Sequence, residues 1–349
     1  MSAGANQGPR AAHDRLTVAV TGPTGDIGRS LLRSLERRRD VAIIKAMARR
    51  PFDPAASGLR KTEYRRGDVV DRGAVDELVR GADVLVHLAF LIVGSFAATR
   101  RVNLQGSRNV FEAAADARCR RLVYASSVAA YGFHKDNPPL LTEDLEPRGT
   151  RRNYYSDQKA ELERVLAETL EGSQTAAYVF RPCIVAGPDA PALVDNLPYV
   201  RLSERMPAAV LRALELLPIL KPVLPDPGVP FQLVHHDDVA SAFTAAVLGR
   251  GAPGVYNLAA PGTLGISDLA DALRWYSLPI PELGVGAAAE ILAHLPFLPA
   301  EAQWIESVRV PVLMDAGKAR RALRWRPRHD ALQTLQAMVE ATRGEQPIA

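Results

Sequence analysis

The chain has 349 residues, of which 47% are apolar and 23% charged, so it is long and apolar enough to bury a sizeable core. Its 43 basic and 39 acidic residues leave a net charge of +4, an excess too small to indicate nucleic acid as a partner. The two cysteines, Cys119 and Cys183, lie far apart in sequence, which argues against a disulfide framework and against a metal site.

The N-terminal residues 1–15 are small and polar, and they lack the apolar region of a signal peptide. They are predicted to form a disordered tail. No run in the sequence approaches the roughly 20 apolar residues that span a bilayer. We therefore expect a cytoplasmic protein with no membrane span.

The first 185 residues alternate between short β-rich runs and helical patterns. Strands are predicted at 16–20, 41–47, 62–66, 83–88, 121–125 and 176–181. Helices are predicted at 27–36, around 75–79, at 102–115 and from 155 to about 170. This alternation predicts an α/β fold with a doubly wound parallel sheet and right-handed crossovers.

The pattern loosens after residue 186. The segment 187–230 is rich in proline and contains one apolar helical stretch at 207–218. Further elements are predicted as strands at 231–234 and 254–258 and as helices at 237–248 and 267–275. An acid at the start of the first of these helices, Asp237 or Asp238, is the expected N-cap.

A glycine-rich segment, Thr-Gly-Pro-Thr-Gly-Asp-Ile-Gly at 21–28, joins the first predicted strand to the first helix. Glycines let the chain turn tightly and approach a pyrophosphate, and the helix N-terminus supplies free N–H groups. A strand before the segment and a helix after it are the context that this motif requires. We therefore predict that a dinucleotide contacts this loop at Gly22, Thr24, Gly25, Asp26, Ile27 and Gly28.

With a dinucleotide site at this loop, residues 16–185 are expected to form a Rossmann domain. Residues 186–349 are then expected to form mainly a smaller C-terminal substrate lobe. The part at about 231–250 is expected to return to the first domain.

The end of the second strand indicates which dinucleotide is preferred. NAD enzymes of this topology place an acid there to bond the ribose 2′-hydroxyl, but the sequence at 45–50 is Lys-Ala-Met-Ala-Arg-Arg. A 2′-phosphate needs positive charge, which a guanidinium matches well. The sequence therefore favours NADP bound by Arg49, assisted by Arg29, and NAD remains the alternative.

The G-x-x-G-x-x-G spacing of the loop resembles the short-chain dehydrogenase/reductase superfamily, in its extended branch, the NAD-dependent epimerase/dehydratase family. The resemblance implies an adenine contact after the third strand and ribose and nicotinamide contacts after the fourth and sixth strands. It places these further cofactor contacts at Asp68, Val69, Leu88, Ala89 and Pro182. His87 is either part of this site or a hydrogen-bonded core histidine, and Asn103 is expected to be architectural.

Tyr155 and Lys159 are four residues apart at the start of a long helix, so they share one helix face. An ordinary tyrosine has a pKa of about 10, and a neighbouring ammonium favours its phenolate. Tyr155 is thus predicted to act as acid/base, with Lys159 beside it and in contact with the nicotinamide ribose. Tyr154 is excluded by the same spacing rule because position 158 is Gln158.

The third catalytic residue should be a hydroxyl at the end of the fifth strand, where Ser126 and Ser127 are candidates. The family's hydroxyl lies four residues before the tyrosine of a Tyr-Gly pair, here Tyr131. This selects Ser127 to hydrogen-bond the substrate oxygen. Ser126 is the alternative.

The resemblance leaves several reactions open. Nucleotide-sugar dehydratases of this family place an acid after the central hydroxyl residue, but Val128 and Ala129 stand here. The preference for NADP favours a reductase or dehydrogenase, and apolar residues at 88–93 and 207–218 favour a small apolar substrate. The alternatives are a nucleotide-sugar 4-epimerase with tightly bound NAD and a non-catalytic dinucleotide-sensing protein. The resemblance also leaves a homodimer open.

Overall fold

The computed structural model describes residues 15–92, 96–191, 193, 221–279 and 310–344. The predicted helix at 207–218 and nearly all of the predicted N-terminal tail lie outside these ranges.

A seven-stranded sheet forms the centre of the molecule. Every neighbouring pair is parallel. Its strands are β1 (Leu16–Thr21), β2 (Val41–Ala48), β3 (Thr62–Arg66), β4 (Val84–His87), β5 (Arg121–Ala125), β6 (Ala176–Pro182) and β10 (Gly254–Leu258). They lie side by side in the order β10-β6-β5-β4-β1-β2-β3.

Helices cover both faces of this sheet. They are α1 (Asp26–Glu36), α2 (Arg72–Val79), α3 (Phe96–Arg100), α4 (Gly106–Asp116), α5 (Tyr154–Leu170), α6 (His236–Val247), α7 (Ile266–Leu273), α8 (Gly317–Ala322) and α9 (Ala331–Gly344). A π-helical turn, Arg101–Gln105, joins α3 to α4, and a 3-10 turn, Val128–Tyr131, follows β5.

The core consists of two layers, one on each face of the sheet. Successive residues of β1 point to opposite faces: Val18 and Val20 pack with Leu31 of α1 and Phe243 of α6, whereas Ala19 belongs to the layer formed by α2, α4 and α5. A central strand buried on both sides needs apolar residues throughout, which explains its continuous apolar run. The predicted doubly wound α/β class is confirmed.

Two small parallel sheets lie beyond the main one. One pairs β7 (Ile184–Ala186) with β9 (Leu233–His235), and the other pairs β8 (Val223–Asp226) with β11 (Tyr276–Pro279). A third apolar cluster, containing Leu233 and Leu335, packs here.

The segment after residue 230 contributes to both parts of the molecule. Helix α6 lies on α1, where Ser34 Oγ is 2.8 Å from Thr244 Oγ1. The edge strand β10 completes the main sheet beside β6. Residues beyond 250 therefore also pack with the part of the molecule built around the main sheet.

The prediction that Asp237 or Asp238 is the N-cap of α6 was wrong. The cap is His235, whose side chain accepts a hydrogen bond from the backbone N–H of Asp237. Asp238 is 1% exposed and instead accepts from the backbone N–H groups of Arg328 and His329 at 2.8 and 3.1 Å. A carboxylate in the first turn is thus used to hold the C-terminal segment, a contact that no local pattern encodes.

Across the described ranges, no helix combines the length and the apolar character that crossing a bilayer requires.

Candidate active site

The glycine loop is packed so closely that side chains are excluded. A Cβ atom on Gly28 would lie 2.3 Å from the carbonyl oxygen of Gly22, and one on Gly22 would lie 2.7 Å from the backbone nitrogen of Ala89. Gly22 also has a φ of +71°, which disfavours other residues. Gly25, the N-cap of α1, makes no side-chain cap, so the first N–H groups of α1 can bind an anion. The loop therefore fits a pyrophosphate.

The end of β2 presents basic side chains. Arg49 is exposed, and its backbone carbonyl accepts a hydrogen bond from Arg66 Nε at 3.0 Å. Within the described ranges, the Arg49 guanidinium has no hydrogen bond or ion pair. Arg29 in α1 is likewise exposed. Both cations are thus available to a phosphate.

The segment after β3 forms a turn beside α4. Asp68 is half-buried, and its carboxylate accepts from the backbone N–H of Val70 at 3.2 Å. Val69 is buried against Gly106, where a Cβ atom would lie 2.5 Å from Val69 Cγ2. The carboxylate of Asp68 thus shapes the turn in which the adenine contact is predicted.

His87 supports the loop from within the core. Its two ring nitrogens lie 2.7 Å from Thr21 Oγ1 and 2.8 Å from Ser107 Oγ. Burial, with a smaller contribution from the charge of Lys159, lowers the pKa of His87 to about 3. The imidazole is neutral and both of its nitrogens have hydrogen-bond partners. This agrees with the interpretation of His87 as a core histidine.

The hydroxyl of Ser127 and the phenol of Tyr155 meet at the end of β5. Burial raises the pKa of Tyr155 above its usual value, and a hydrogen bond with Ser127 opposes that increase in part. Ser127 Oγ also accepts from the backbone N–H of Ala129 at 3.2 Å, so its own proton can be donated elsewhere. The neighbouring Ser126 donates instead to Glu163.

Lys159 lies one helical turn beyond Tyr155 and is 3% exposed. Its ammonium donates to the carbonyl oxygen of Ala125 at 2.7 Å. Burial lowers the pKa of Lys159 to about 7, and the charge of Glu163 opposes that decrease. The site therefore brings together a phenol, a hydroxyl and an ammonium whose charge is sensitive to its surroundings.

Phe90, which the sequence analysis did not single out as a site residue, lies against both members of the pair. Its ring is edge-on to Tyr155 with centroids 5.4 Å apart. Lys159 Nζ lies 3.8 Å from the centre of the Phe90 ring, which stabilises the ammonium by a cation–π interaction. Phe90 follows the end of β4 by three residues, and this position is the sequence signal that could have identified it as a site residue.

The residues next to the pair face elsewhere. The Tyr154 hydroxyl donates to the carbonyl oxygen of Ile92. Gln158 accepts from Asn103 Nδ2 at 2.8 Å, and Asn103 also holds Leu91 through both of its backbone groups. Asn103 thus braces the segment after β4.

An ion pair between Glu163 and Arg181 was also missed by the sequence analysis. The two side chains are 7% and 2% exposed, and Arg181 directly precedes Pro182 at the end of β6. Glu163 lies four residues after Lys159, a spacing that placed it on the face of α5 that carries the candidate pair. Cys183 is buried, which raises the pKa of its thiol and makes it unreactive.

The chain is similar to known enzymes over much of its length. A model of the NAD dependent epimerase/dehydratase family matches residues 18–259. Ceramide reductase from Caulobacter vibrioides is 29% identical over 327 residues, which are 84% of this chain and 89% of that protein. Sterol demethylase protein B from Methylococcus capsulatus is 27% identical over 209 residues, 58% of this chain and 62% of that protein.

A solved structure, UDP-glucuronic acid 4-epimerase from Bacillus cereus in complex with NAD, has a TM-score of 0.70 and 16% identity and covers 94% of this chain and 99% of that chain. At this identity the likeness shows the fold. The family model extends from the first strand to the edge strand of the main sheet. The protein therefore belongs to the NAD-dependent epimerase/dehydratase family, the extended short-chain dehydrogenases/reductases.

Proposed function

We propose that the protein is an NAD(P)-dependent oxidoreductase that interconverts a carbonyl compound and a secondary alcohol, with Tyr155 as acid/base. The observation that carries this proposal is Lys159, fixed by its bond to the carbonyl oxygen of Ala125 one helical turn from Tyr155, with Ser127 beside the Tyr155 phenol. A phenol and a second hydroxyl that meet at one point suit a substrate oxygen that gains or loses a proton.

Each residue has a separate part in carbonyl reduction. The Ser127 hydroxyl donates a hydrogen bond to the substrate oxygen and polarises the carbonyl. The Tyr155 phenol then gives its proton to that oxygen, and the Lys159 ammonium stabilises the phenolate that remains. The nicotinamide, when bound, supplies the hydride, and in alcohol oxidation it accepts one.

We propose NADP as the preferred cofactor. The unpaired Arg49 at the end of β2 suits a 2′-phosphate, and the glycine loop would hold the pyrophosphate. The remaining contacts are proposed for Asp68 and Val69 at the adenine and for Leu88, Ala89 and Pro182 near the ribose and nicotinamide. NAD remains the alternative.

We further propose an apolar ketone or alcohol as the substrate. Phe90 presents an aromatic ring beside Tyr155, and such a wall favours a hydrophobic group next to the carbonyl. The names of two relatives, ceramide reductase and sterol demethylase protein B, also refer to lipids.

The test is a binding comparison of NADPH with NADH, followed by a panel of carbonyl compounds. The panel runs from short polar aldehydes to sterol ketones and ketone analogues of ceramide, with oxidation followed at the nicotinamide absorbance. We expect NADPH oxidation that increases with the apolar character of the ketone. Turnover of polar sugars alone would overturn the proposed substrate class.

A nucleotide-sugar 4-epimerase is the second candidate, because Ser127, Tyr155 and Lys159 would serve that reaction equally. Protein that retains NAD through purification and consumes no NADPH with any ketone would support it. A non-catalytic, dinucleotide-sensing protein is the third candidate. Absence of turnover in the parent, with a dinucleotide-dependent partner interaction that survives Tyr155→Phe, would support that role.

A homodimer formed through α4 and α5 is also proposed, and it follows from the family resemblance. Light scattering of the purified chain tests it, since a monomer at working concentrations would contradict it.

A further inference from the structure

The end of β5 is bonded to one face of α5 at three successive positions, 125–127. The partners on α5 are each four residues apart, so they lie along a single helix face. The bonded pairs are Ala125 with Lys159, Ser126 with Glu163, and Ser127 with Tyr155. Two of the three pairs contain proposed catalytic residues, and the pair between them does not.

The middle pair, Ser126 with Glu163, also binds a residue of β6. Arg181 at the end of β6 donates from Nε to both oxygens of Glu163, at 2.9 and 3.2 Å, and from Nη2 to one of them. Its remaining nitrogen, Nη1, donates to the carbonyl oxygen of Leu145 at 3.2 Å, and its guanidinium carbon lies 4.4 Å from the centre of the Tyr131 ring. A buried ion pair with this many bonds holds both groups in one geometry.

We propose that Glu163 is a positioning residue for the candidate active site: clamped by Arg181 and Ser126, it fixes the face of α5 against β5 and places a negative charge near Lys159. The inference rests on the proposed oxidoreductase function. It assigns to the buried ion pair a part in the reaction in addition to its part in the core.

The negative charge of Glu163 matters because the other titratable groups around Lys159 are uncharged. The titratable groups facing Lys159 from β4 and β5 are uncharged at neutral pH: the pKa of His87 is lowered to about 3, and burial raises the pKa of Tyr124 well above its usual value. Tyr155 on α5 is also a neutral phenol at that pH. Within the described ranges, Glu163 is the group that raises the pKa of Lys159.

Loss of the Glu163 charge should therefore lower the pKa of Lys159 further below its usual range. Arg181, left without its partner, would act in the same direction because it adds an uncompensated positive charge nearby. The ammonium would then be lost at a lower pH. A rate that needs the ammonium would fall earlier as the pH rises.

The experiment compares three single variants of the full chain, with kcat for ketone reduction measured across pH. Glu163→Gln removes the charge, and Ser126→Ala removes one bond but keeps the charge. Glu168→Gln makes the same charge change at an exposed position of α5 and is the matched control. Melting temperatures are measured alongside.

For Glu163→Gln we expect kcat to fall about 10- to 100-fold at neutral pH, with the alkaline decline of kcat moved about one pH unit lower. Ser126→Ala should lower kcat about 3- to 10-fold, roughly the loss of one hydrogen bond, without moving that decline. Glu168→Gln should change neither. A folded Glu163→Gln protein with the parental pH profile would overturn the inference. If that variant does not fold, unchanged kcat in Ser126→Ala would overturn it.

A measurement without turnover separates this inference from the proposed function. The Lys159 signal in lysine-labelled protein, assigned by its loss in Lys159→Met, reports its ionisation directly by NMR. A titration moved to lower pH in Glu163→Gln, in a protein that reduces no ketone, would retain the positioning role and reject the proposed reaction. Ketone reduction with an unmoved Lys159 titration would reject the positioning role alone.

Discussion

The carbonyl oxygen of Gly22 occupies the space that a Cβ atom would need at Gly28, at a separation of 2.3 Å. The contact joins the end of β1 to the first turn of α1. It therefore sets the angle at which the helix N-terminus meets the loop. Packing therefore requires glycine at position 28, in addition to the proposed approach of a dinucleotide.

Alanine substitutions at Gly28 and Gly25 should separate these two requirements. Gly28→Ala should lower the free energy of unfolding by about 1–3 kcal/mol, because the loop must move to admit the methyl group. Gly25 has a φ of −82°, and a Cβ atom there would lie 3.6 Å from the carbonyl oxygen of Gly22, the nearest atom of the described residues. Gly25→Ala should therefore keep the parental stability but weaken dinucleotide binding. Urea unfolding and NADPH fluorescence titration check both, and equal stability of the two variants would contradict the packing argument.

Removing the Tyr155 hydroxyl should abolish most of the chemistry. Tyr155→Phe should lower kcat by about 10²- to 10⁴-fold, the usual contribution of a positioned acid/base, while NADPH still binds. Tyr154→Phe is the matched control, since its hydroxyl bonds the backbone of Ile92. It should lose about 1 kcal/mol of stability and keep kcat within a few-fold of the parent. A Tyr155→Phe variant as active as the control would remove Tyr155 from the proposed mechanism.

The charge of Arg49 should set the preference between dinucleotides. Arg49→Ala should weaken NADPH binding by about 10- to 100-fold, the loss of a charged hydrogen bond, and leave NADH binding unchanged. Arg39→Ala removes an exposed arginine at the other end of β2 and should alter neither. Isothermal titration of both dinucleotides measures the ratio. A preference unaltered by Arg49→Ala would place the 2′-phosphate contact elsewhere.

The buried, neutral His87 should make stability depend on acid. Its pKa in the folded protein is about 3, below the unfolded value of about 6.5, so its contribution is fully present above pH 6.5 and is lost as the pH falls toward 3. Between pH 7 and 5 the parent should lose about 2 kcal/mol through this group. His87→Gln should be less stable at pH 7 but lose less on acidification, as followed by urea unfolding. An equal loss in both proteins would show that His87 does not remain neutral when folded.

Local sequence patterns were enough to predict the main sheet and part of the candidate site. Short β-rich runs, most of them apolar, predicted the strands of the main sheet, and the spacing of Tyr155 and Lys159 predicted a shared helix face. The preference for Ser127 over Ser126 is consistent with the structure, in which the two neighbouring hydroxyls bond different residues of α5.

Contacts between distant segments were not predictable in this way. The pairing of Glu163 with Arg181 depends on how β6 lies beside β5, and neither residue shows a local signal for the other. The same holds for Asp238, whose expected capping role was wrong because its carboxylate bonds backbone groups of a segment near residue 328. Periodicity reports which side of an element is buried but not what covers it.

The late position of β10 in the sequence affects how the chain folds during synthesis. Because β6 pairs with β5 on one side and with β10 on the other, a nascent chain that has reached only residue 185 leaves the backbone N–H and C=O groups on the β10 side of β6 without a partner. Unpaired groups of this kind can pair with another chain, and β10, the strand that pairs with them in the folded protein, is synthesised late. A fragment cut at the apparent domain boundary should therefore aggregate, and the nucleotide-binding half is best regarded as a folding unit that is complete only after residue 258.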